Sequence, residues 1–414
     1  MEICSKEKCT ACFACVNACP HGCIEMQEDI YGVLYPKVDE SKCVKCNLCV
    51  RSCPNNVEME FNYPIACHAA WSVNTQGRMI CASGGIGTML SEYAIKREGV
   101  VFGCRYDRNL TPIISSAETM EELECFKGSR YVQSLVGNDT YKQVKKNLLN
   151  GRFVLYIGTP CQIAGLRTFL KRDYDNLITV DLICHGVSPT RYLKEEIDFL
   201  RRKYKFLKGE EISDIRFRGN DGNNFRLTLW NKARRKLFPR EKQLLQKLLH
   251  KDEAQQYYIA GFLQGVTLRE NCYKCSYARP ERVADITIGD FIGLGKHTPF
   301  YPEFNHDAKN VSVVMVNTLK GRRFYDNAVK NNHDIVNVER TYKERLEYKP
   351  SLISPFDKHP LAEEFRNHYL QHGFAEAIRI VMHKNMHRKQ RKAILNTFFR
   401  RIPRKVLKKM GLLR

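Results

Sequence analysis

The sequence predicts a small, cysteine-rich α+β domain at its N-terminal end, an α/β body behind it, and a basic helical C-terminal tail. Three observations predict this. Ten of the 18 cysteines fall within the first 53 residues. Beyond residue 62 their density drops, and β-favouring apolar runs alternate with helical stretches across glycine turns. Residues 377–414 hold 13 lysines or arginines and no acidic residue, more than half of the net charge of +22.

A chain of 414 residues suggests two to three domains. With 43% hydrophobic and 27% charged residues it excludes fibrous and disordered classes and can bury a sizeable core. The first residues carry no apolar stretch after a positive start, so no secretory signal is expected. Runs such as Val313-Val314-Met315-Val316 fall far short of the ~20 residues a membrane span needs. The expected setting is therefore cytoplasmic. Thiols stay reduced there, and clustered cysteines read as metal ligands rather than disulfides.

The N-terminal domain carries the strongest chemistry. Cys9, Cys12, Cys15 and Cys19, followed by Pro20, fit C-x2-C-x2-C-x3-C-P. Cys43, Cys46, Cys49 and Cys53, followed by Pro54, repeat the pattern 34 residues later. Three cysteines two residues apart let one short loop wrap three corners of an iron–sulfur cube, and the fourth reaches the other cube. Zinc prefers separated C-x2-C pairs. The segment resembles bacterial two-cluster ferredoxins. That resemblance implies one [4Fe–4S] cluster on Cys9, Cys12, Cys15 and Cys53, and a second on Cys43, Cys46, Cys49 and Cys19. Between the repeats, Ile24–Met26 and Val33–Tyr35 read as a strand pair near a Tyr31-Gly32 turn. Cys4 and Cys23 stand outside the pattern and read as small core or loop residues.

In the body, Cys67–Ser72 reads as a strand. The glycine-rich turn Ser83-Gly84-Gly85 then precedes a helix over Met89–Arg97. Such a turn offers N–H groups to a phosphate, although many serve only as tight turns. Phe153–Ile157 reads as a strand, Gln162–Leu170 as a helix and Leu177–Ile183 as a second strand. This β–loop–α–β unit makes the two strands parallel. It places Cys161 and Cys184 at their carboxyl ends, where open α/β sheets bind ligands. Cys272 and Cys275 form a C-x2-C pair ahead of a strand that closes on Gly289-Asp290. Together the four cysteines suggest a third iron–sulfur cluster. Buried free thiols, zinc and a redox dithiol are the alternatives.

The blocks Gly158-Thr159-Pro160-Cys161-Gln162, Asp181-Leu182-Ile183-Cys184-His185-Gly186 and Cys272 to Asp290 resemble the coenzyme F420 hydrogenase/dehydrogenase beta subunit family. The Ser83-Gly84-Gly85 loop and Lys127-Gly128-Ser129-Arg130 fit it too. The resemblance implies an FAD flavin beside an iron–sulfur cluster. It implies contacts from Ser83, Gly84 and Gly85 to flavin phosphate or ribityl groups, with Lys127, Ser129 and Arg130 adding donors near the same anion. Members with such a front end also resemble stand-alone proteins of bacterial cell-surface polysaccharide gene clusters. The expected architecture is thus an α+β ferredoxin domain (1–62), an α/β flavin-binding body (63–145 and 146–350, dividing near residue 145) and a basic amphipathic helical tail (351–414).

The function that follows is an iron–sulfur flavoprotein oxidoreductase. Electrons would pass from a redox donor protein or small-molecule donor through the clusters to a flavin and a substrate. The alternatives are an electron-transfer subunit that feeds a partner enzyme, and a membrane-bound scaffold using its clusters structurally. His185 could supply a proton, but a packed histidine is the more ordinary reading. No catalytic residue and no hydrolase motif stands out. The tail, with Pro403 breaking its helical spacing, suits an anionic membrane surface at the inner face or a docking helix. No nucleic-acid fold accompanies it, so nucleic acid is not the expected partner. Basic patches at Arg201-Arg202-Lys203 and across 232–236 could receive an acidic donor or remain solvated.

Overall fold

Ile24–Glu28 (β1) and Leu34–Val38 (β2) pair antiparallel around the Asp29–Val33 turn, as the alternation between the two cysteine repeats requires. The computed structural model describes residues 1–218, 225–239, 257–296, 298–301, 310–348 and 351–382. Short helices Ala14–Ala18 and Leu48–Arg51 begin inside the two ligand loops and complete the front domain.

The body is built on a sheet of eight strands among the described residues. Ala66–Ser72 (β3), Val100–Tyr106 (β4), Pro112–Ala117 (β5), Val154–Gly158 (β6) and Leu177–Leu182 (β7) enter it first. Asp214–Arg218 (β8), Phe225–Trp230 (β9) and Lys236–Phe238 (β10) form a separate three-stranded sheet. Ile286–Asp290 (β11), Ser312–Val316 (β12) and Ile335–Arg340 (β13) complete the large one. Its order is β13-β3-β12-β11-β7-β6-β4-β5. The centre, β11-β7-β6-β4, is parallel and both flanks are antiparallel. The expected parallel pairing of the two strands flanking helix Pro160–Leu170 is observed, with Ile157 opposite Val180 and Gly158 opposite Asp181.

A division near residue 145 would cut this sheet. β4 pairs with β6 across that point, and β3 lies between β12 and β13. Local sequence sees the βαβ unit but not the distant strands that extend it, so the large sheet draws strands from both sides of that point.

β6 shows the two-residue period at work. Val154 and Tyr156 join one core and Leu155 the other. On the Leu155 side, helices Ile86–Lys96 and Leu319–Lys330 cover the sheet with Met89, Leu90, Ala94, Phe324 and Tyr325. The Tyr156 side carries helices Thr140–Leu149 and Pro160–Leu170, and the front domain packs onto them through Phe13, Ala14 and Val16. Asn17 fastens this junction. Its amide donates to the carbonyls of Phe13 (3.0 Å) and Gly137 (2.9 Å), and its oxygen accepts from the Tyr141 N–H (3.1 Å).

Part of the segment expected as a tail lies in the body. Helix Ala362–His372 buries Phe365 and Tyr369, and residues 374–382 bury Phe374, Ala377, Ile378 and Met382 in the same core as Tyr192 and Tyr258. These apolar positions at helical spacing outweigh the basic composition around them. The rest of the basic stretch, 383–414, lies outside the described residues. Among the described residues no helix is long and apolar enough to cross a membrane.

Candidate iron–sulfur centre

The two ligand loops share a backbone signature. Ala11 and Phe13 in the first have positive φ (52° and 63°), and so do Lys45 and Asn47 in the second (55° and 59°). Non-glycine residues rarely enter the left-handed region, and each does so at a cost of about 1–2 kcal/mol. The same two positions between consecutive cysteines adopt it in both repeats, which winds each loop around its three thiols. Repeat and backbone therefore agree on a function-bearing conformation.

The front-domain cysteines fall into two neighbourhoods. Cys15 feels charge at Cys12, Cys9 and Cys53. Cys49 feels charge at Cys19 and Cys43. Cys53 from the second repeat therefore lies near the thiols of the first loop, and Cys19 from the first repeat near those of the second. Backbone N–H groups point at the sulfurs: Ala11 toward Cys9, Ala14 toward Cys12, Val50 toward Cys49 and Asn55 toward Cys53. Hydrogen bonds of this kind tune cluster potentials. Burial pushes Cys12 up to about 12.

Cys4 and Cys23, which spacing leaves out, sit against the two groups. Cys4 shares hydrogen bonds with Cys9 and Cys53, which lowers Cys9 to about 6 and Cys53 to about 7 and raises Cys4 itself. Cys23 Sγ lies 3.3 Å from Cys19 Sγ. No local pattern marks them, because folding brings both next to ligand positions from outside the loops.

The body cysteines converge as well. Cys161 begins helix Pro160–Leu170 just after β6, and Cys184 follows β7. Helix Glu270–Tyr273 brings Cys272, and the turn after it brings Cys275. All four line one cavity. Burial pushes Cys161 up to about 11 and Cys272 up to about 12, and raises Cys184 and Cys275 too. Thr159 Oγ1 is 3.2 Å from Cys161 Sγ, and the Gly186 N–H donates to Cys184 Sγ at 3.4 Å. Among the described residues no group of three or more His, Cys, Asp or Glu could hold a single metal ion. The four cysteines thus converge on one cavity from three separate stretches of chain.

This cavity touches the front domain. Thr10 and Ala11 of the first loop form part of its wall. Cys12 feels charge at Cys161, and Tyr277 feels charge at Cys161, Cys12, Cys275 and Cys53. The Arg269 guanidinium, 1% exposed, donates to the carbonyls of Cys9 (3.0 Å), Thr10 (3.4 Å) and Leu34 (3.3 Å). Its charge acts on Cys9, Cys161 and Cys272 alike. A buried Asp181–Arg282 pair at 3.0 Å ties the end of β7 to the loop after Cys275. Sequence reading missed Arg269, Tyr277 and Arg282. For Arg269 the only signal is its place three residues before Cys272.

His185 is a packed residue. Its Nε2 lies 3.1 Å from the Phe262 carbonyl, its ring centre is 4.5 Å from Phe356, and burial lowers its pKa.

The residues assigned to flavin contact are placed differently from one another. Ser83 Oγ donates to the Val311 carbonyl (3.2 Å), and the Gly84 N–H donates to Ser312 Oγ (3.0 Å). A Cβ on Gly84 would stand 2.3 Å from the Ala70 carbonyl oxygen, so this glycine lets the loop lie against β3 and β12. Gly85 starts helix Ile86–Lys96. Lys127 pairs with Glu124. The Arg130 guanidinium donates to the carbonyls of Cys125, Phe126, Lys127 and Gly128, bracing the loop that also carries Ser129. The two loops are neighbours, since Lys127 acts on Cys81 and Gly128 lies near the Ile80 carbonyl. Most of their donors are nevertheless engaged within the protein.

Residues 8–57 match the family described as 4Fe-4S dicluster domain. Residues 151–340 match the family described as the C terminus of the coenzyme F420 hydrogenase/dehydrogenase beta subunit. No curated protein matches the chain. Among solved structures, the chain resembles one described as the xenon-derivatized F420-reducing [NiFe] hydrogenase complex from Methanosarcina barkeri. The identity is 15%, with 70% of this chain and 91% of that chain covered, at a TM-score of 0.39. The family matches support iron–sulfur chemistry in a redox electron-transfer protein.

Proposed function

We infer that this chain, a 4Fe-4S dicluster domain joined to the C-terminal domain of an F420 hydrogenase/dehydrogenase beta subunit, is an iron–sulfur flavoprotein oxidoreductase with three clusters in line. One observation carries the reading. The cavity lined by Cys161, Cys184, Cys272 and Cys275 takes part of its wall from Thr10 and Ala11 of the first ligand loop. Electrons would run from the second loop, whose Cys46 is exposed, to the first loop, then to the body quartet and on to a flavin. The clusters would supply single-electron transfer when bound.

The chain's own residues position the thiols and aim N–H groups at sulfur. The flavin, FAD, belongs to this reading by resemblance. The start of helix Ile86–Lys96 and Lys127 are its nearest candidates for contact, while Ser83, Gly84, Ser129 and Arg130 would serve through loop shape. Work on cell-surface polysaccharide precursors, and contact of residues 383–414 with an anionic membrane, are extensions of the same proposal.

Anaerobic purification tests it. About twelve irons per chain with bound flavin are expected, and about eight would remove the body cluster. A colourless zinc protein would sink the scheme. The exposed second loop also suits a subunit that only feeds a partner enzyme. A bound flavin reoxidised by a small molecule without a partner would exclude that reading.

A further inference from the structure

The expected basic patch across 232–236 is largely occupied. Lys232, Arg234 and Arg235 pair with Glu211, Glu124 and Glu210. Arg201, Arg202 and Lys203 form the last turn of helix Thr190–Lys203, where cations offset the helix dipole. A third basic group, which the sequence did not single out, lies elsewhere. Helix Thr140–Leu149 presents Lys142, Lys145 and Lys146 to an open cleft. Among the described residues none of the three has an ion-pair partner. Ala18 and Pro20, the residues on either side of Cys19, form the cleft's other wall. Leu149, 59% exposed, lies at its edge.

We propose that this cleft is the docking site of a small acidic redox carrier protein, which exchanges electrons with the cluster on Cys19, Cys43, Cys46 and Cys49. The inference rests on the reading of those cysteines as cluster ligands. Its own support is charge complementarity at one place. Three lysines without carboxylate partners and an exposed leucine surround the chain segment that carries a ligand of the outer cluster. Asn17 and Tyr141 fix helix Thr140–Leu149 to that segment, so a carrier seated on the lysines is held at a set position relative to Cys19. Electron-transfer encounters use small interfaces and rely on charge for speed and orientation. In each encounter one electron passes between carrier and cluster. The carrier is oxidised by one electron as the cluster is reduced by one, and no bond forms or breaks.

The test follows bleaching of the iron–sulfur absorbance by stopped flow at low ionic strength. An acidic flavodoxin in its fully reduced form is the protein donor, and reduced methyl viologen is the small cationic donor. Wild type should be reduced by flavodoxin at a rate that falls steeply with salt. The triple variant Lys142→Gln, Lys145→Gln, Lys146→Gln should be about tenfold slower with flavodoxin and unchanged with methyl viologen. The matched variant Arg201→Gln, Arg202→Gln, Lys203→Gln should keep the wild-type rate. Equal flavodoxin rates in wild type and the first variant overturn the proposal, as does equal slowing by both variants. If heparin is bound by wild type alone while the flavodoxin rates match, the cleft belongs to a polyanion and the proposal falls. A protein that methyl viologen cannot bleach rejects the cluster reading itself, which is a different failure.

Discussion

Gly165, in the second turn of helix Pro160–Leu170, lies directly under Cys12. A Cβ placed on Gly165 would stand 2.9 Å from both Cβ and Sγ of that cysteine and 3.0 Å from the Tyr141 hydroxyl. The absent side chain lets the first ligand loop reach the helix that carries Cys161. Gly165→Val should therefore displace Cys12 and lower iron content by about four atoms per chain. Gly165→Ala should be milder, with a loss of ~1–3 kcal/mol from overpacking. Iron analysis and thermal unfolding distinguish the two. Full iron in the valine variant would contradict the close approach.

Cys272→Ala should remove about four irons and leave the spectrum of the front-domain clusters in place, because only the body quartet loses a ligand. If Cys272→Ala instead costs about eight irons, the quartet and the first loop would form one cooperative unit. Unchanged iron would show that Cys272 holds nothing.

How much of this was legible in sequence follows from range. The ligand repeats, the βαβ unit and the strand-end cysteines depend on spacings of a few residues or on one crossover, and the fold keeps them. The place of β3 between β12 and β13 depends on pairs such as Ala69 with Val313 and with Val338, more than two hundred residues away, which no local pattern encodes. The same holds for the site. The thiols announce themselves, but the Arg269 guanidinium between Cys9 and Cys272 and the Asp181–Arg282 tie exist only after folding. Arg130 and Lys127 show the converse case. A cation in a motif looks free until its carbonyl or carboxylate partners are visible.

Lys45 tests the loop conformation. It holds a positive φ of 55° between Cys43 and Cys46, where a β-branched side chain is strongly disfavoured. Lys45→Gly should keep the second cluster and leave stability unchanged or raised by up to about 1 kcal/mol. Lys45→Val should lose that cluster or fall in stability by more than that amount. Iron content and urea unfolding of the pair would decide. A valine variant equal to the glycine variant would remove the argument from backbone strain.

His68 gives a pH dependence away from the cysteines. It is buried on β3 opposite Val314 of β12 and Glu339 of β13, with Arg322, Tyr325 and Asp326 on the helix packed above it. Among the described residues neither ring nitrogen has a hydrogen-bond partner, and burial lowers its pKa. The unfolded chain then takes up a proton below about pH 6.5 that the folded chain refuses. Stability should fall as pH falls through that value, because the unfolded state binds more protons. His68→Phe should remove up to about 1 kcal/mol of the loss between pH ~7.5 and ~5.5. Urea melts at both values measure it, and identical pH slopes for the two proteins would refute the assignment.

Arg269 makes the strongest electrical prediction. Its charge is buried against the Cys9 carbonyl and acts on Cys161 and Cys272, while its Nε has no partner among the described residues. Carbonyl oxygens hold it, with no carboxylate among them to cancel its field. A fixed positive charge favours the more negative, reduced form of any cluster beside it, so it raises the midpoint potential. Arg269→Gln should lower the midpoints of the first-loop and body clusters, on the order of 60 mV if the charge contributes a tenfold bias to a one-electron couple. Arg269→Lys should restore most of that shift, although its ammonium cannot reproduce the three carbonyl contacts. The outer cluster, beyond the first loop, should move least. Redox titration followed by electron paramagnetic resonance reads all three potentials in one protein. A glutamine variant that keeps its iron and every midpoint would show that Arg269 only braces the loop. A shift confined to the outer cluster would reverse the order of the wire.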